Sequence, residues 1–292
     1  MLKHRLITGI SLGLLGLLPF VLPGLTGSVM FMLLGGGAIG LLLHEIYALA
    51  ERIGFPSFPA AGVISGTVWF LIACLLVAFS GVHLNTAIVC TWLILPALLL
   101  LFLLSLICRK EDYRDGMIRL LTTFAGVMLV LNTFGLLPLV YFQAGFDAST
   151  SGRLLVLYLL LVTKMSDVGA YSLGMLTARR PHGNHKMLPR LSPGKSWEGL
   201  IGGLAAAVIA ALAFSSPRQA LFADGINEWL AAALFGTICA LLGLCGDIFA
   251  SLCKRAAGVK DSGRIPGLGG GFDMLDSLIF TIPLFYAFLY LA

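Results

Sequence analysis

Charge is scarce in this sequence. Only 11% of its 292 residues are Asp, Glu, Lys or Arg, against about 25% in an ordinary soluble domain. Acids are the rarer sign, 14 against 19 Lys plus Arg. With 59% hydrophobic residues and a mean hydropathy of +0.98, this scarcity excludes a soluble globule, a disordered chain and a fibre. Cysteine is thin too. The six residues, Cys74, Cys90, Cys108, Cys239, Cys245 and Cys253, form no C-x-x-C pair, which argues against a disulfide framework and a zinc site. No repeat stands out and no Ser/Pro-rich linker separates domains. Two familiar phosphate loops are also missing. Gly194-Lys195-Ser196 could end a Walker loop, but Pro189 stands where its first Gly belongs. A dinucleotide fingerprint begun at Gly267 meets Phe272 where Gly is required.

What the chain does have is long apolar runs. They divide into spans at 5–23, 26–44, 62–80, 86–107, 117–141, 154–176, 199–215, 228–249 and 271–291. Each is close to the ~20 residues that cross a bilayer core. Their continuity is unlike the short alternating segments of a membrane β-barrel. The expected fold is all-α, a polytopic membrane protein with about nine transmembrane helices. Lys3, His4 and Arg5 precede the first run as in a signal peptide, but no small-x-small cleavage site follows, so the run is expected to stay.

The basic residues set the orientation. With the N-terminus in the cytoplasm, the outside loops hold only Arg153 and Arg218, and Lys164 lies within a span. That asymmetry favours an N-in, C-out arrangement in the inner (cytoplasmic) membrane. It also accounts for the basic residues without a nucleic-acid partner. Residues 1–150 read as N-terminal transmembrane helices with plain loops. Residues 151–292 carry two long polar stretches, 177–198 and 250–276, rich in Gly, Pro, Lys and Arg. Chemistry is expected in this C-terminal region, facing the cytoplasm.

Ionisable groups in or beside spans are costly and so point to function. Lys164 and Asp167 are three apart in the sixth span and can pair on one helix face. Glu45 ends the second span and reads as an interfacial charge. Asp247, Asp273 and Asp276 gather at cytoplasmic span ends beside the basic loops. Such carboxylates suit a hard cation such as magnesium. A magnesium ion with a Lys/Arg surround suits a phosphate-bearing substrate. Asp247, Ser251 and Lys254 share one helix face. The Gly-rich turn through Gly269 and Gly270 lets backbone N–H groups approach an anion. A small-anion transporter remains an alternative, on the Lys164–Asp167 pair and the Gly-broken last hairpin.

At this point the residues resemble a known family. The run Ser251-Leu-Cys-Lys254-Arg255, then Lys260-Asp261-Ser-Gly263, Pro266-Gly267, Gly269-Gly270, Asp273 and Asp276-Ser277 is similar to the signature of the phosphatidate cytidylyltransferases, or CDP-diacylglycerol synthases. Gly246-Asp247 fits it. So do Asp167-x-x-Ala170-Tyr171-x-x-Gly174 and Ser192-Pro193-x-Lys195-Ser196-Trp197-Glu198-Gly199. The sequence departs from the pattern in having Leu268 where the family usually has His, Met274 where it usually has Arg, and one residue fewer between Gly263 and Pro266.

The resemblance implies transfer of a cytidylyl group from CTP to phosphatidate, giving CDP-diacylglycerol and pyrophosphate. It implies catalytic Asp247, Asp273, Lys254 and Arg255. Magnesium would be held by Asp247 and Asp273, with Asp276 as a further ligand and room for a second cation. Asp167, Tyr171, Ser192, Lys195, Ser196, Ser251, Lys260, Asp261, Gly269 and Gly270 would bind substrate. Membrane lipids surround the protein, and a homodimer is compatible with the family. A closer alternative is another CTP-dependent lipid-phosphate transferase or a polyprenol kinase.

Overall fold

The structure is a computed structural model that describes residues 2–79, 113–142, 151–181, 183–214, 227–265 and 269–291. The expected fourth span, 86–107, and Leu268 lie outside the described residues. The helices are α1 (Leu2–Val21), α2 (Gly24–Ile53), α3 (Pro59–Phe79), α4 (Tyr113–Thr133), a 3-10 turn (Phe134–Leu136) and α5 (Leu137–Tyr141). Then come α6 (Gly152–Ala178), strands β1 (Lys186–Leu188) and β2 (Ser192–Ser196), α7 (Trp197–Ala213), α8 (Glu228–Ala256), α9 (Gly271–Leu275) and α10 (Leu278–Leu291). The described residues are mostly helical; the antiparallel β1–β2 hairpin falls in the polar stretch 177–198, where no strand was expected.

Five helices are long and apolar enough to cross a membrane: Gly24–Ile53, Pro59–Ala78, Tyr113–Tyr141, Gly152–Ala178 and Glu228–Ala256. Shorter apolar helices lie at Ser11–Val21, Trp197–Ala213 and Leu278–Leu289. Their outer faces expose large apolar side chains, such as Leu33, Ile64 and Ile209, as helices facing lipid do. This is an integral membrane protein. The ninth span is shorter than expected, because a turn at 276–277 separates α9 from α10.

The chain forms two compact units, Met1–Gln143 with Ala256–Met274, and Ala144–Arg255 with Leu275–Ala292. In the first unit, α2 passes eight residues beyond Glu45 before Gly54, at φ +98°, ends it with a left-handed cap. Tyr47 is buried, and its hydroxyl donates to the Thr123 carbonyl at 2.8 Å. Gly62 and Gly126 leave the room its ring fills. Gly126→Val should therefore destabilise the folded protein by about 1–3 kcal/mol, read as a lower thermal-unfolding midpoint in detergent. Phe31 stacks on Tyr141 at 3.9 Å, and the Tyr141 hydroxyl donates to the Pro19 carbonyl.

In the second unit, small residues bring α6 and α7 together. A Cβ on Gly202 would lie 2.6 Å from the Gly169 carbonyl oxygen, and one on Gly203 3.1 Å from that of Ser166. Helices in lipid associate through such close backbone approach. Tyr158 of α6 stacks on Phe235 of α8, which in turn meets Phe285 of α10. This packing sets the tops of α6, α7 and α8 around the hairpin.

Candidate functional site

The hairpin is held at both ends. Ser196 caps α7, its Oγ accepting from Gly199 N. A side-chain oxygen at this position satisfies one of the open amides of a helix start. Both Glu198 oxygens accept from His185 N, and Oε1 lies 2.6 Å from His185 Nδ1. The His185 hydrogen bond holds the Glu198 carboxyl down to about 2. Asn184 Nδ2 donates to the Gly174 carbonyl near the end of α6. At the turn, the Leu191 carbonyl accepts from Arg255 Nε at 3.3 Å. A five-residue strand rich in Ser, Gly and Lys thus takes a fixed place beside α6 and α8.

The result is a cavity of about 320 Å³ within the second unit, lined by Asp167, Tyr171, Ser192, Lys195, Ser196 and Asp247 among others. This size is at the lower end of small-molecule sites. Two sequence blocks about 50 residues apart meet here through one bond. Lys195 Nζ donates to Asp247 Oδ2 at 2.6 Å, with side chains 17% and 29% exposed.

Behind this pair stands a second carboxylate. Asp276, 8% exposed, lies within hydrogen-bonding reach of Asp247. Its Oδ1 accepts from Ser277 N at 2.8 Å. Gly246 explains how the turn comes so close, since a Cβ there would strike the Asp276 carbonyl. Ser277 then closes a triangle. Lys164 Nζ donates to Asp167 Oδ2 at 3.0 Å and to Ser277 Oγ at 2.8 Å, and Ser277 Oγ donates to Asp167 Oδ2 at 3.0 Å. The Lys164–Asp167 pair read from sequence is present, with Ser277 as a third member that spacing alone did not indicate.

The other expected residues fall in two places. Ser251, Lys254 and Arg255 follow Asp247 along α8 in the second unit. Lys260, Asp261, Gly269, Gly270 and Asp273 belong to the first unit. Asp261 there lines a cavity of about 110 Å³ with Arg52 and Arg264. Asp273 is turned onto its own loop. Its Oδ2 accepts from Ser262 N at 2.7 Å, Ser262 Oγ at 2.9 Å and Gly270 N at 3.0 Å. Gly269 N donates to the Ile265 carbonyl. The amides of Gly269 and Gly270, expected to meet an anion, are therefore spent within the loop. Their lack of side chains serves close packing instead. A Cβ at Gly270 would strike Ser262 Oγ and Glu45 Oε2.

Glu45 corrects the sequence reading most. It is no interfacial helix-end charge but a buried acceptor, 4% exposed. Its two oxygens take Gly271 N, Phe272 N and Ser262 Oγ at 2.7–2.9 Å. The available signal was that α2 could run past Glu45 without a break.

Asp247 and Asp276 offer carboxylate oxygens of the kind a hard cation takes, with the Lys195 ammonium now on Asp247 Oδ2. Among the described residues, no group of three His, Cys, Asp or Glu side chains is placed to hold a metal. A magnesium ion here would complete its shell with water and substrate oxygens, as it commonly does.

The chain is 42% identical over 139 residues to the uncharacterized protein YnbB of Escherichia coli K12, covering 47% of this chain and 43% of that one. It is 39% identical over 159 residues to a phosphatidate cytidylyltransferase of Staphylococcus aureus strain COL, covering 52% and 56%. A phosphatidate cytidylyltransferase of Haemophilus influenzae is 38% identical over 140 residues, covering 47% and 46%. The chain spans about half the length of the curated relatives it matches. The family model described as the cytidylyltransferase family matches residues 3–292, nearly the whole chain, and the chain belongs to that family.

Proposed function

We propose that the protein transfers a cytidylyl group from CTP to phosphatidate, giving CDP-diacylglycerol and pyrophosphate for phospholipid synthesis. The observation that carries this reading is the second-unit cavity, where Lys195 and two serines of the hairpin face Asp247 and Asp167. Names of the Staphylococcus and Haemophilus relatives point the same way.

The chemistry needs little from side chains beyond position and charge. A phosphatidate oxygen attacks the α-phosphorus of CTP and forms one P–O bond. The bond from that phosphorus to the bridging β-oxygen breaks, and pyrophosphate leaves with the electron pair. A phosphomonoester with its second pKa near 6 is largely deprotonated at pH 7, so no base has to take a proton from it. Lys195 turns its ammonium from Asp247 towards the phosphates. Ser192 and Ser196 donate their hydroxyls; Ser196 retains its O–H because it caps α7 by accepting. Tyr171, 68% exposed, stands at the cavity edge. Lys254 and Arg255 add positive charge at the end of α8. Asp247 and Asp276 would hold magnesium, and Asp273 keeps the signature loop in shape. Bound magnesium supplies charge neutralisation for the triphosphate.

The same reading places about nine spans in the inner membrane, the N-terminus inside and the cavity facing cytosolic CTP. It pairs copies as a homodimer. Met274, where the family usually has Arg, favours a second reading in which the lipid phosphate differs from phosphatidate.

Pyrophosphate release from purified protein in detergent tests the proposal. Release should require magnesium, CTP and phosphatidate together. Folded protein that releases none with phosphatidate, yet does so with another lipid phosphate, would replace the substrate. Silence with every lipid would overturn the enzyme reading. Gly246→Ala should lower the rate about a hundredfold, the cost of roughly 1 Å of misplacement, because the Asp276 turn must move.

A further inference from the structure

Glu45 lies in a 30-residue apolar helix and is nearly inaccessible. A carboxylate in such surroundings needs a full set of donors. It obtains them from a segment 217 to 227 residues away in sequence. Oε1 accepts from Gly271 N at 2.9 Å, and Oε2 accepts from Phe272 N at 2.8 Å and Ser262 Oγ at 2.7 Å. Ser262 Oγ has one proton and two carboxylate oxygens within reach, Glu45 Oε2 and Asp273 Oδ2. Gly263 is as constrained as Gly270, because a Cβ on it would strike Glu45 Oε1. The two strands of the loop are also joined by the Ile265–Gly269 bridge.

We infer that Glu45 is a positioning residue for the signature loop: its buried carboxylate clamps Ser262 to the start of α9 and so fixes how the loop presents Lys260 and Asp261. The link to turnover rests on the cytidylyltransferase reading; the clamp itself does not. Glu45 touches no substrate, so its loss acts through the loop. Breaking the clamp takes the acceptor from two backbone amides, Gly271 N and Phe272 N, leaves Ser262 Oγ to Asp273 alone, and frees the loop from α2.

The test joins limited trypsin digestion with kinetics on full-length protein in detergent. Lys260 and Arg264 flank the clamp and are exposed. Arg179, in the other unit, serves as an internal control. In Glu45→Ala, cleavage at Lys260 and Arg264 should rise at least about tenfold, as local opening does, with cleavage at Arg179 unchanged. The kcat should fall about tenfold to a hundredfold, while KM for CTP stays within about threefold, since no substrate contact is removed. Glu45→Gln keeps the volume and one carbonyl acceptor, and should lie between wild type and Ala in both readouts. It also carries the test if the Ala variant does not fold. Wild-type protection of the loop in both variants, or an unchanged kcat, would overturn the inference. A wild-type protein with no CTP-dependent release, but a loop still opened by Glu45→Ala, would sink the cytidylyltransferase reading and leave the clamp standing.

Discussion

Asp247→Asn is expected to lower pyrophosphate release at least about a thousandfold, the upper range for deleting one electrostatic contact at a reacting phosphate. The protein should remain folded and extractable in detergent. Asn keeps the shape of Asp and an oxygen for the Lys195 ammonium, now 2.6 Å from Asp247 Oδ2. What it loses is the negative charge. Beside Asp276 that charge is costly in the resting protein, since two carboxylates in hydrogen-bonding reach repel unless a proton or a cation lies between them. Natural sequences rarely keep such a pair next to an apolar helix without a use for it. The substitution relieves the repulsion, so thermal stability should stay level or rise while activity disappears. That opposition separates a functional carboxylate from a structural one, whose loss lowers both. The checks are steady-state rate against magnesium concentration and the unfolding midpoint of the same preparation. A rate within about tenfold of wild type would remove Asp247 from the proposed metal site.

Much of this was legible in the sequence because of where the physics is local. Long apolar runs must become helices in a bilayer, where each backbone amide needs a partner within its own segment. Helices accordingly overlap each expected span outside the fourth, five of them long and apolar enough to cross a membrane, with the ninth broken at 276–277. Asp167, Lys195 and Asp247 could be named because charges beside apolar runs are expensive and therefore conspicuous. The β1–β2 hairpin was not legible. Its strands are three and five residues long, and Ser192-Pro193-Gly194-Lys195-Ser196 reads as a loop by composition; its shape comes from the His185–Glu198 clasp and the cap on α7. The glycines were noticed, but not what their amides bond to within the protein. Backbone freedom suggested an anion cradle, whereas the amides of Gly270 and Gly271 are already taken by Asp273 and Glu45. Glu45 itself was hidden because its partners lie more than 200 residues away in sequence, beyond any window of local pattern.

Lys195→Met should lower turnover about a hundredfold to a thousandfold and, in the same protein, lower the magnesium concentration needed for half-maximal rate. The two effects follow from one geometry. In the resting structure the Lys195 ammonium sits on Asp247 Oδ2, with side chains 17% and 29% exposed. With Lys164, which acts on Asp276, it is a cation that offsets the carboxylate pair. A divalent ion entering the same place must displace it and meets its positive charge. Met preserves the length and apolar stem of Lys but removes both the competition and the repulsion, so the metal should bind more tightly. With a cation at Asp247, as proposed, Lys195 in the wild type would be free for the phosphates, where its ammonium would neutralise charge that the substrate brings to the cavity. Met cannot do this, and the chemical step slows. Lys195→Arg should restore part of the rate, since a guanidinium retains charge and phosphate contacts at a different reach. A lysine that served only to anchor the hairpin would give a different result: lower stability, slower turnover and an unchanged magnesium requirement. Rate measured across a magnesium titration for wild type, Lys195→Met and Lys195→Arg distinguishes the two. An unchanged half-saturation in the Met variant would mean that Lys195 does not share Asp247 with the metal.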